Sequence, residues 1–122
     1  MQRVRKAEVY IKGRRISGIA RGLLVLIGIS RKDTKKEADF LAGKTAMLRI
    51  FDDNTGRMNL SAQDTGAEIL AVSQFTLYGD CTRGSRPSYT QTARAETAEP
   101  LYNYFIDRLN GYNLSVESGR FG

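Results

Sequence analysis

The alternation of apolar and polar residues predicts extended strands through much of the chain. Val4 to Ile11 and Ile16 to Ile19 flank the turn pair Lys12-Gly13, a pattern typical of a β-hairpin. Other predicted extended segments are Leu23 to Ile29, Arg49 to Phe51, Arg57 to Leu60, Ala67 to Leu77 and Ser115 to Ser118. The longest apolar run, Leu23 to Ile29, has the length of a buried strand and is far short of the roughly 20 residues of a membrane span. No membrane interaction is therefore predicted.

Two helices are predicted between these strands. Thr34 and Glu37 have the spacing of a capping box, in which each side chain binds the backbone N–H of the other residue. The apolar stripe behind it comprises Ala38, Leu41, Ala42, Thr45 and Leu48. A second stripe, closed by Asn110-Gly111, comprises Leu101, Tyr102, Phe105, Ile106 and Leu109. Many strands with two helices indicate one α+β domain over residues 1–122, with a largely antiparallel, barrel-like sheet.

The end of one predicted strand carries a concentration of polar groups. The apolar run Ile69 to Val72 leads into Ser73-Gln74-Phe75-Thr76-Leu77 and then into the turn Gly79-Asp80. Hydrogen-bonding side chains at the rim of a sheet are held in fixed directions, as a binding or catalytic site requires. From these residues alone, an ordinary strand that ends in a turn explains the segment better than a site does.

The absence of histidine excludes several classes of enzyme. Ser-His-Asp and Cys-His catalysis are impossible, and so are the usual zinc sites. The single Cys81 cannot form an internal disulfide and suits a reducing cytosol. The segment Asp52-Asp53-Asn54-Thr55-Gly56 could supply carboxylates to a metal, but it fits a hairpin loop better, with Gly56 at positive φ. We therefore predict no metal and no cofactor.

Positive charge is concentrated at the start of the chain. Residues 1–36 contain eleven Lys and Arg and two acidic residues, a local charge of +9 within a net charge of +6. Such a basic segment suits a polyanion such as RNA, because phosphate contacts release counterions. A solvated basic surface without a partner explains the same counts.

Several blocks of the sequence together resemble the D-aminoacyl-tRNA deacylases, which remove D-amino acids from mischarged tRNA. The main one is Ser73-Gln74-Phe75-Thr76-Leu77. The others, in the order of the family, are Gln2-Arg3-Val4, Arg21 to Gly28, Leu48 to Phe51, Gly56 to Ser61, Arg83 to Tyr89 and Ala98 to Tyr102. They extend over nearly the whole chain.

The resemblance implies a function and a site. It implies a cytoplasmic homodimeric hydrolase that cleaves the ester of D-aminoacyl-tRNA in a proofreading role, with glycyl-tRNA as a further candidate substrate. Catalytic roles would belong to Ser73, Gln74 and Thr76, with Thr76 positioning the ester rather than acting as a free nucleophile. Phe75 would stack on the terminal adenine or pack in the core. Arg83 and Arg86 would hold phosphates or close the rim of the pocket.

One departure from the family concerns the final strand, which in the family carries a Gly-Pro dipeptide that rejects L-amino acids. The two prolines of this chain follow Arg86 and Glu99, so it contains no Gly-Pro. The domain is therefore expected to be incomplete at its C-terminus, and this form is expected to distinguish D from L substrates poorly. Two further readings stay open: a tRNA- or RNA-binding module without catalysis, and an assembly protein with an incidental basic surface.

Overall fold

The computed structural model describes residues 1–74 and 93–119 of the chain. The strands of this part are β1 (Gln2–Val4), β2 (Ala7–Ile11), β3 (Arg14–Ile19), β4 (Gly22–Ile27), β5 (Phe51–Asp52), β6 (Met58–Leu60), β7 (Glu68–Ser73) and β8 (Ser115–Ser118). The helices are α1 (Lys35–Met47), α2 (Ala62–Thr65) and α3 (Ala95–Asn110). The predicted α+β class is confirmed, but the described part contains three helices where two were predicted.

The central sheet is mixed, with the strand order β1-β4-β7-β8. β1 is antiparallel to β4, whereas β4 and β7 are parallel, as are β7 and β8. The predicted largely antiparallel arrangement is therefore correct for β1 and for the two hairpins but wrong for the centre, and no closed barrel forms within residues 1–74 and 93–119. The physical reason is the placement of α1 and α3 between successive strands, because a helical crossover returns the chain in the parallel direction.

Both predicted hairpin turns are confirmed. Lys12 and Gly13 join β2 to β3 with φ of 51° and 76°, as a type I′ turn requires at both central positions. In the β5–β6 hairpin, Gly56 has φ of 80°. There the Asp53 carboxylate accepts hydrogen bonds from the Thr55 N–H at 2.8 Å and the Arg57 N–H at 3.1 Å. This carboxylate therefore closes the loop.

Helix α1 begins at the predicted capping box. The Thr34 hydroxyl accepts from the Lys36 N–H at 3.3 Å, and the Glu37 carboxylate accepts from the Thr34 N–H at 2.8 Å. The apolar stripe was predicted less well, since Leu41 is 53% exposed and Leu48 is 40% exposed. The buried face instead consists of small residues, namely Ala38, Ala42, Gly43, Thr45 and Ala46. α1 packs through these small residues against α3, which supplies the larger side chains.

Helix α2 occupies the position where a turn was predicted. Ser61 and Asp64 form a second capping box, in which the Ser61 hydroxyl accepts from the Asp64 N–H at 3.0 Å. The Asp64 carboxylate accepts from the Ser61 N–H at 3.0 Å, and Gly66 ends the helix at φ 67°. Local capping therefore converts the predicted turn into one helical turn.

The core lies between the central sheet and the helices α1 and α3. Its main cluster unites the sheet residues Leu23, Val25 and Ile69 with Phe105 and Leu109 of α3. The other face of the sheet contacts the β2–β3 hairpin: a Cβ at Gly119, just after β8, would lie 3.5 Å from the Val9 side chain and 3.8 Å from that of Val72. Strand β2 therefore packs close to the ends of β7 and β8.

Candidate active site

The described part of the predicted site lies at the carboxyl end of β7. Ser73 is the last residue of β7 and pairs with Ile27 at the end of the parallel strand β4. The next residue, Gln74, donates its backbone N–H to the Ile27 carbonyl oxygen at 2.8 Å. Ser73 and Gln74 are both half-buried. A hydroxyl and an amide are thus held at the carboxyl edge of two parallel strands, where ligands commonly bind in α/β sheets.

Three further hydrogen bonds hold this edge. The Ala93 N–H donates to the Ile29 carbonyl at 2.9 Å, so the chain leaves the edge at Gln74 and is bound to it again at Ala93. The carbonyl oxygen of Ala71 accepts from the Tyr102 hydroxyl at 2.8 Å and from the Gly119 N–H at 3.2 Å. The strand that carries Ser73 is therefore tied to α3 and to the residue after β8.

Four of the six predicted site residues lie outside the described residues. They are Phe75, Thr76, Arg83 and Arg86. Their roles stay predictions from the sequence.

A cavity of about 410 Å³ opens at the same edge. It is lined by Ile29, Ser30, Arg31, Asp33, Ala93, Arg94, Thr97 and Leu101. Its floor is a tight turn in which the Ser30 N–H donates to the Asp33 carboxylate at 2.7 Å. The exposed cations Arg31 and Arg94 lie at its wall. With two cations against the one carboxylate of Asp33, the wall of this cavity carries a net positive charge, which favours a small anionic group.

Sequence reasoning did not single out Arg31 and Arg94. Arg31 was counted only as part of the basic segment. Arg94 is the N-cap residue of α3 and makes no side-chain capping bond. The available signal was weak: a basic residue directly after an apolar strand and another directly before a helix.

A second, smaller cavity of about 240 Å³ adjoins the first and shares Ile29, Asp33 and Leu101 with it. The rest of its wall is mainly apolar, formed by Met1, Val25, Leu26, Ile27, Gly28, Glu37, Ala38, Leu41, Thr45 and Phe105. Because most of these side chains offer no hydrogen bonds, this cavity can hold an apolar group beside the polar one.

The basic N-terminal segment is partly neutralised in the fold. Glu8 lies 2.8 Å from the Lys6 ammonium and 3.1 Å from the Arg15 guanidinium, and it accepts a hydrogen bond from the Tyr10 hydroxyl at 2.7 Å. These bonds, that from Lys6 most strongly, lower the pKa of Glu8 to about 2. Arg15 and Lys6 therefore present less free charge to a partner than Arg14, whose guanidinium has no carboxylate within 4 Å in the part of the chain that the structure describes.

Neither a metal site nor a membrane-spanning helix is found in the part of the chain that the structure describes. Within residues 1–74 and 93–119, no cluster of three or more His, Cys, Asp or Glu residues could hold a metal ion. None of the helices in these ranges has the length and apolar character needed to cross a membrane. What the edge offers to a reaction is hydroxyl, amide and backbone N–H groups with cations nearby.

Comparison with known proteins gives consistent matches along the chain. The family model described as D-Tyr-tRNA(Tyr) deacylase matches residues 1–122. The D-aminoacyl-tRNA deacylase of Thermosipho melanesiensis is 52% identical over all of this chain and 82% of its own length. That of Brevibacillus brevis is 52% identical over all of this chain and 84% of its own length.

Solved structures agree. The c-Myc DNA Unwinding Element Binding Protein superimposes with a TM-score of 0.91 at 40% identity, over 99% of this chain and 83% of that one. A protein described as a probable eukaryotic D-amino acid tRNA deacylase shares the fold, with a TM-score of 0.68 at 20% identity over 81% of this chain and 57% of that one. From the full-length family match and the half-identical relatives, we conclude that this chain belongs to the D-Tyr-tRNA(Tyr) deacylase family.

Proposed function

We propose that this protein is a hydrolase that cleaves the ester between a D-amino acid and the terminal ribose of tRNA, as a proofreading step in translation. The observation that carries the proposal is the placement of Ser73 and Gln74 of the family motif at the carboxyl edge of β4 and β7, next to a cavity with cationic walls. The curated relatives at 52% identity support the same activity.

Hydrolysis of this ester requires the protein only to position the reactants and to donate hydrogen bonds. Water attacks the carbonyl carbon of the ester, the bond to the ribose oxygen breaks, and the ribose hydroxyl leaves with a proton. An aminoacyl ester is already activated and carries a vicinal hydroxyl, so rigid positioning and hydrogen-bond donors to the developing oxyanion supply the catalysis. The Gln74 side-chain amide is the described group suited to donate, and one such donor is worth roughly 10²–10³ in rate. No histidine is needed.

The decisive measurement is ester loss from D-tyrosyl-tRNA and L-tyrosyl-tRNA incubated with the protein. Loss of the D ester above the uncatalysed rate is expected. Tight tRNA binding without ester loss would instead favour the non-catalytic RNA-binding module, and failure to bind tRNA would favour the assembly protein. The same assay with glycyl-tRNA shows whether the protein also cleaves the glycyl ester. The L substrate also tests whether a chain without a Gly-Pro dipeptide still selects against it.

A homodimer and a cytoplasmic location belong to the same proposal. Leu26 lies within the four-stranded sheet and is 42% exposed, and Met1 beside it in the smaller cavity is 54% exposed. An apolar side chain exposed within a sheet is the kind of surface that a second copy covers. Sedimentation velocity should give the mass of two chains, and Leu26→Lys should lower it to that of one.

A further inference from the structure

Helix α1 exposes a stripe of two cations and two large apolar side chains. Lys36, Phe40, Lys44 and Met47 are spaced by four, four and three residues, so they lie on one side of the helix. Phe40 is 63% exposed and Met47 is 55% exposed. The buried residues Ala38, Ala42 and Thr45 lie on the opposite side, whereas the buried Gly43 borders the stripe and faces Tyr112. The packing of α1 within this fold therefore does not explain why a large apolar side chain occupies position 40.

The positive charge of this stripe is not neutralised by neighbouring acids. No carboxylate of residues 1–74 and 93–119 lies within 4 Å of the ammonium group of Lys36 or Lys44. The acidic residues of the helix are engaged elsewhere. Glu37 accepts from the Thr34 N–H, and Asp39 accepts from the Tyr104 hydroxyl at 2.6 Å and lies 3.0 Å from the Arg108 guanidinium. The Lys44 ammonium lies 5.8 Å from the centroid of the Phe40 ring.

The stripe begins near the candidate active site and runs away from it. α1 starts shortly after Arg31 and Asp33, which line the cavity at the edge where β4 ends. Lys36 is in the first turn of the helix. Lys44 is eight residues further along, which is about 12 Å along the helix axis. The stripe therefore starts within one helical turn, in sequence, of the residues that line this cavity.

We infer that Lys36, Phe40 and Lys44, the α1 track, bind the RNA strand of the substrate beyond its aminoacylated terminal nucleotide. The two ammonium groups contact phosphates, and the exposed ring of Phe40 stacks on a base or ribose. A row of cations with an exposed aromatic ring among them is the surface by which proteins hold single-stranded nucleic acid. This inference rests on the proposed function and adds a contact surface to it.

The first test measures the affinity for deacylated tRNA by fluorescence anisotropy at several salt concentrations. The double variant Lys36→Gln/Lys44→Gln should bind more weakly, with a log–log salt slope smaller by roughly 1.4–1.8, since each phosphate contact contributes roughly 0.7–0.9. Phe40→Ala should raise the Kd at least about fivefold with the slope unchanged, because stacking carries no counterion.

The matched control is Arg5→Gln/Arg57→Gln, which removes the same charge from two exposed residues outside α1, one just after β1 and one just before β6. It should leave both affinity and slope nearly unchanged. An equal loss in this control, or no loss in the track variants, overturns the inference. A change in self-association of Phe40→Ala without a change in tRNA affinity would also overturn it and would assign the face to a second copy.

The second test distinguishes a loss of RNA contacts at the α1 track from a loss of catalysis at the ester. With D-tyrosyl-tRNA the Lys36→Gln/Lys44→Gln variant should lose at least about tenfold in kcat/KM, whereas with D-tyrosyl-adenosine, which has no further nucleotides, its rate should equal that of the wild type. An equal loss on both substrates overturns the inference. If the wild type cleaves neither substrate, the proposed function fails, and the binding measurement alone decides whether the track contacts RNA.

Discussion

The hydroxyl of Tyr102 donates a buried hydrogen bond of 2.8 Å to the carbonyl oxygen of Ala71. This bond ties the middle of α3 to β7 two residues before Ser73. Burial raises the pKa of Tyr102, whose hydroxyl also interacts with the Ser118 side chain. Because Tyr102 is only 2% exposed, its ring fixes the distance between helix and strand as well. The end of β7 is therefore held by tertiary contacts and not by its sheet pairing alone.

Tyr102→Phe should lower the free energy of unfolding by about 1 kcal/mol or more, because a buried carbonyl loses one of its donors. For a chain of this size the Tm should fall by about 4 °C or more. Urea denaturation and calorimetry measure both quantities. The control is Tyr10→Phe, which removes a hydroxyl that donates to Glu8 from a side chain that is 58% exposed, so the loss of stability should be smaller than for the buried Tyr102 bond. Equal effects of the two variants would contradict a special role for the Tyr102 bond.

Local features of this fold could be predicted from the sequence, because each depends on residues close together in the chain. The Thr34–Glu37 capping box and the turns at Gly13 and Gly56 are of this kind. The direction of β7 relative to β4 could not be predicted in the same way. It depends on how α1 crosses the sheet, and alternation within a strand carries no information about the direction of its neighbour.

In the candidate site, too, some features could be predicted from nearby residues, whereas others depend on segments that are distant in the chain. The motif at Ser73 and Gln74 was singled out by its resemblance to the family, and these two residues lie at the end of β7, as predicted. The Ile27 and Ile29 carbonyls that bind Gln74 and Ala93 are backbone groups, which no pattern of side chains reveals. The cavity with Arg31 and Arg94 arises where two segments more than sixty residues apart in the chain meet, so neither segment predicts it alone.

Gln74→Ala and Thr76→Ala should each lower the rate of D-aminoacyl-tRNA deacylation while leaving the fold intact. The physical reason is the loss of a hydrogen-bonding group that positions the ester or its oxyanion, worth roughly 10²–10³ in rate for a direct donor. Single-turnover ester loss measures the effect, and circular dichroism checks the fold.

Gln63→Ala is the matched control for Gln74→Ala. Its amide donates to the Tyr112 carbonyl at 3.1 Å, and Gln63 lies in α2, just before the opposite end of β7. This variant should keep the wild-type rate. Wild-type rates in both Gln74→Ala and Thr76→Ala, with tRNA binding unchanged, would place the reacting groups elsewhere.

The carboxylate of Glu8, which is bound by Lys6, Tyr10 and Arg15 on the β2–β3 hairpin, predicts that stability depends on pH. Since the folded pKa of Glu8 is about 2 and its unfolded value is about 4.5, its ionised form stabilises the fold fully above about pH 4.5. That contribution is lost as the pH falls toward 2. The difference in unfolding free energy between the wild type and Glu8→Gln should therefore be constant above pH 5 and shrink between pH 4.5 and 2. A difference that does not vary with pH would mean that Glu8 is not held as an ion by Lys6 and Arg15.

Adjacent arginines at the tip of the same hairpin should differ in their contribution to tRNA binding. Arg15 is held by Glu8 at 3.1 Å, so a phosphate would have to compete with that carboxylate. Arg14 is exposed, and no carboxylate among the described residues lies within 4 Å of its guanidinium. If the tip contacts tRNA, Arg14→Gln should reduce the log–log salt slope of tRNA affinity by roughly 0.7–0.9, and Arg15→Gln should reduce it by less. Anisotropy titrations at four or more salt concentrations give both slopes. Equal slopes in the wild type and Arg14→Gln would mean that the hairpin is a solvated surface, because a released counterion is the unavoidable consequence of a phosphate contact.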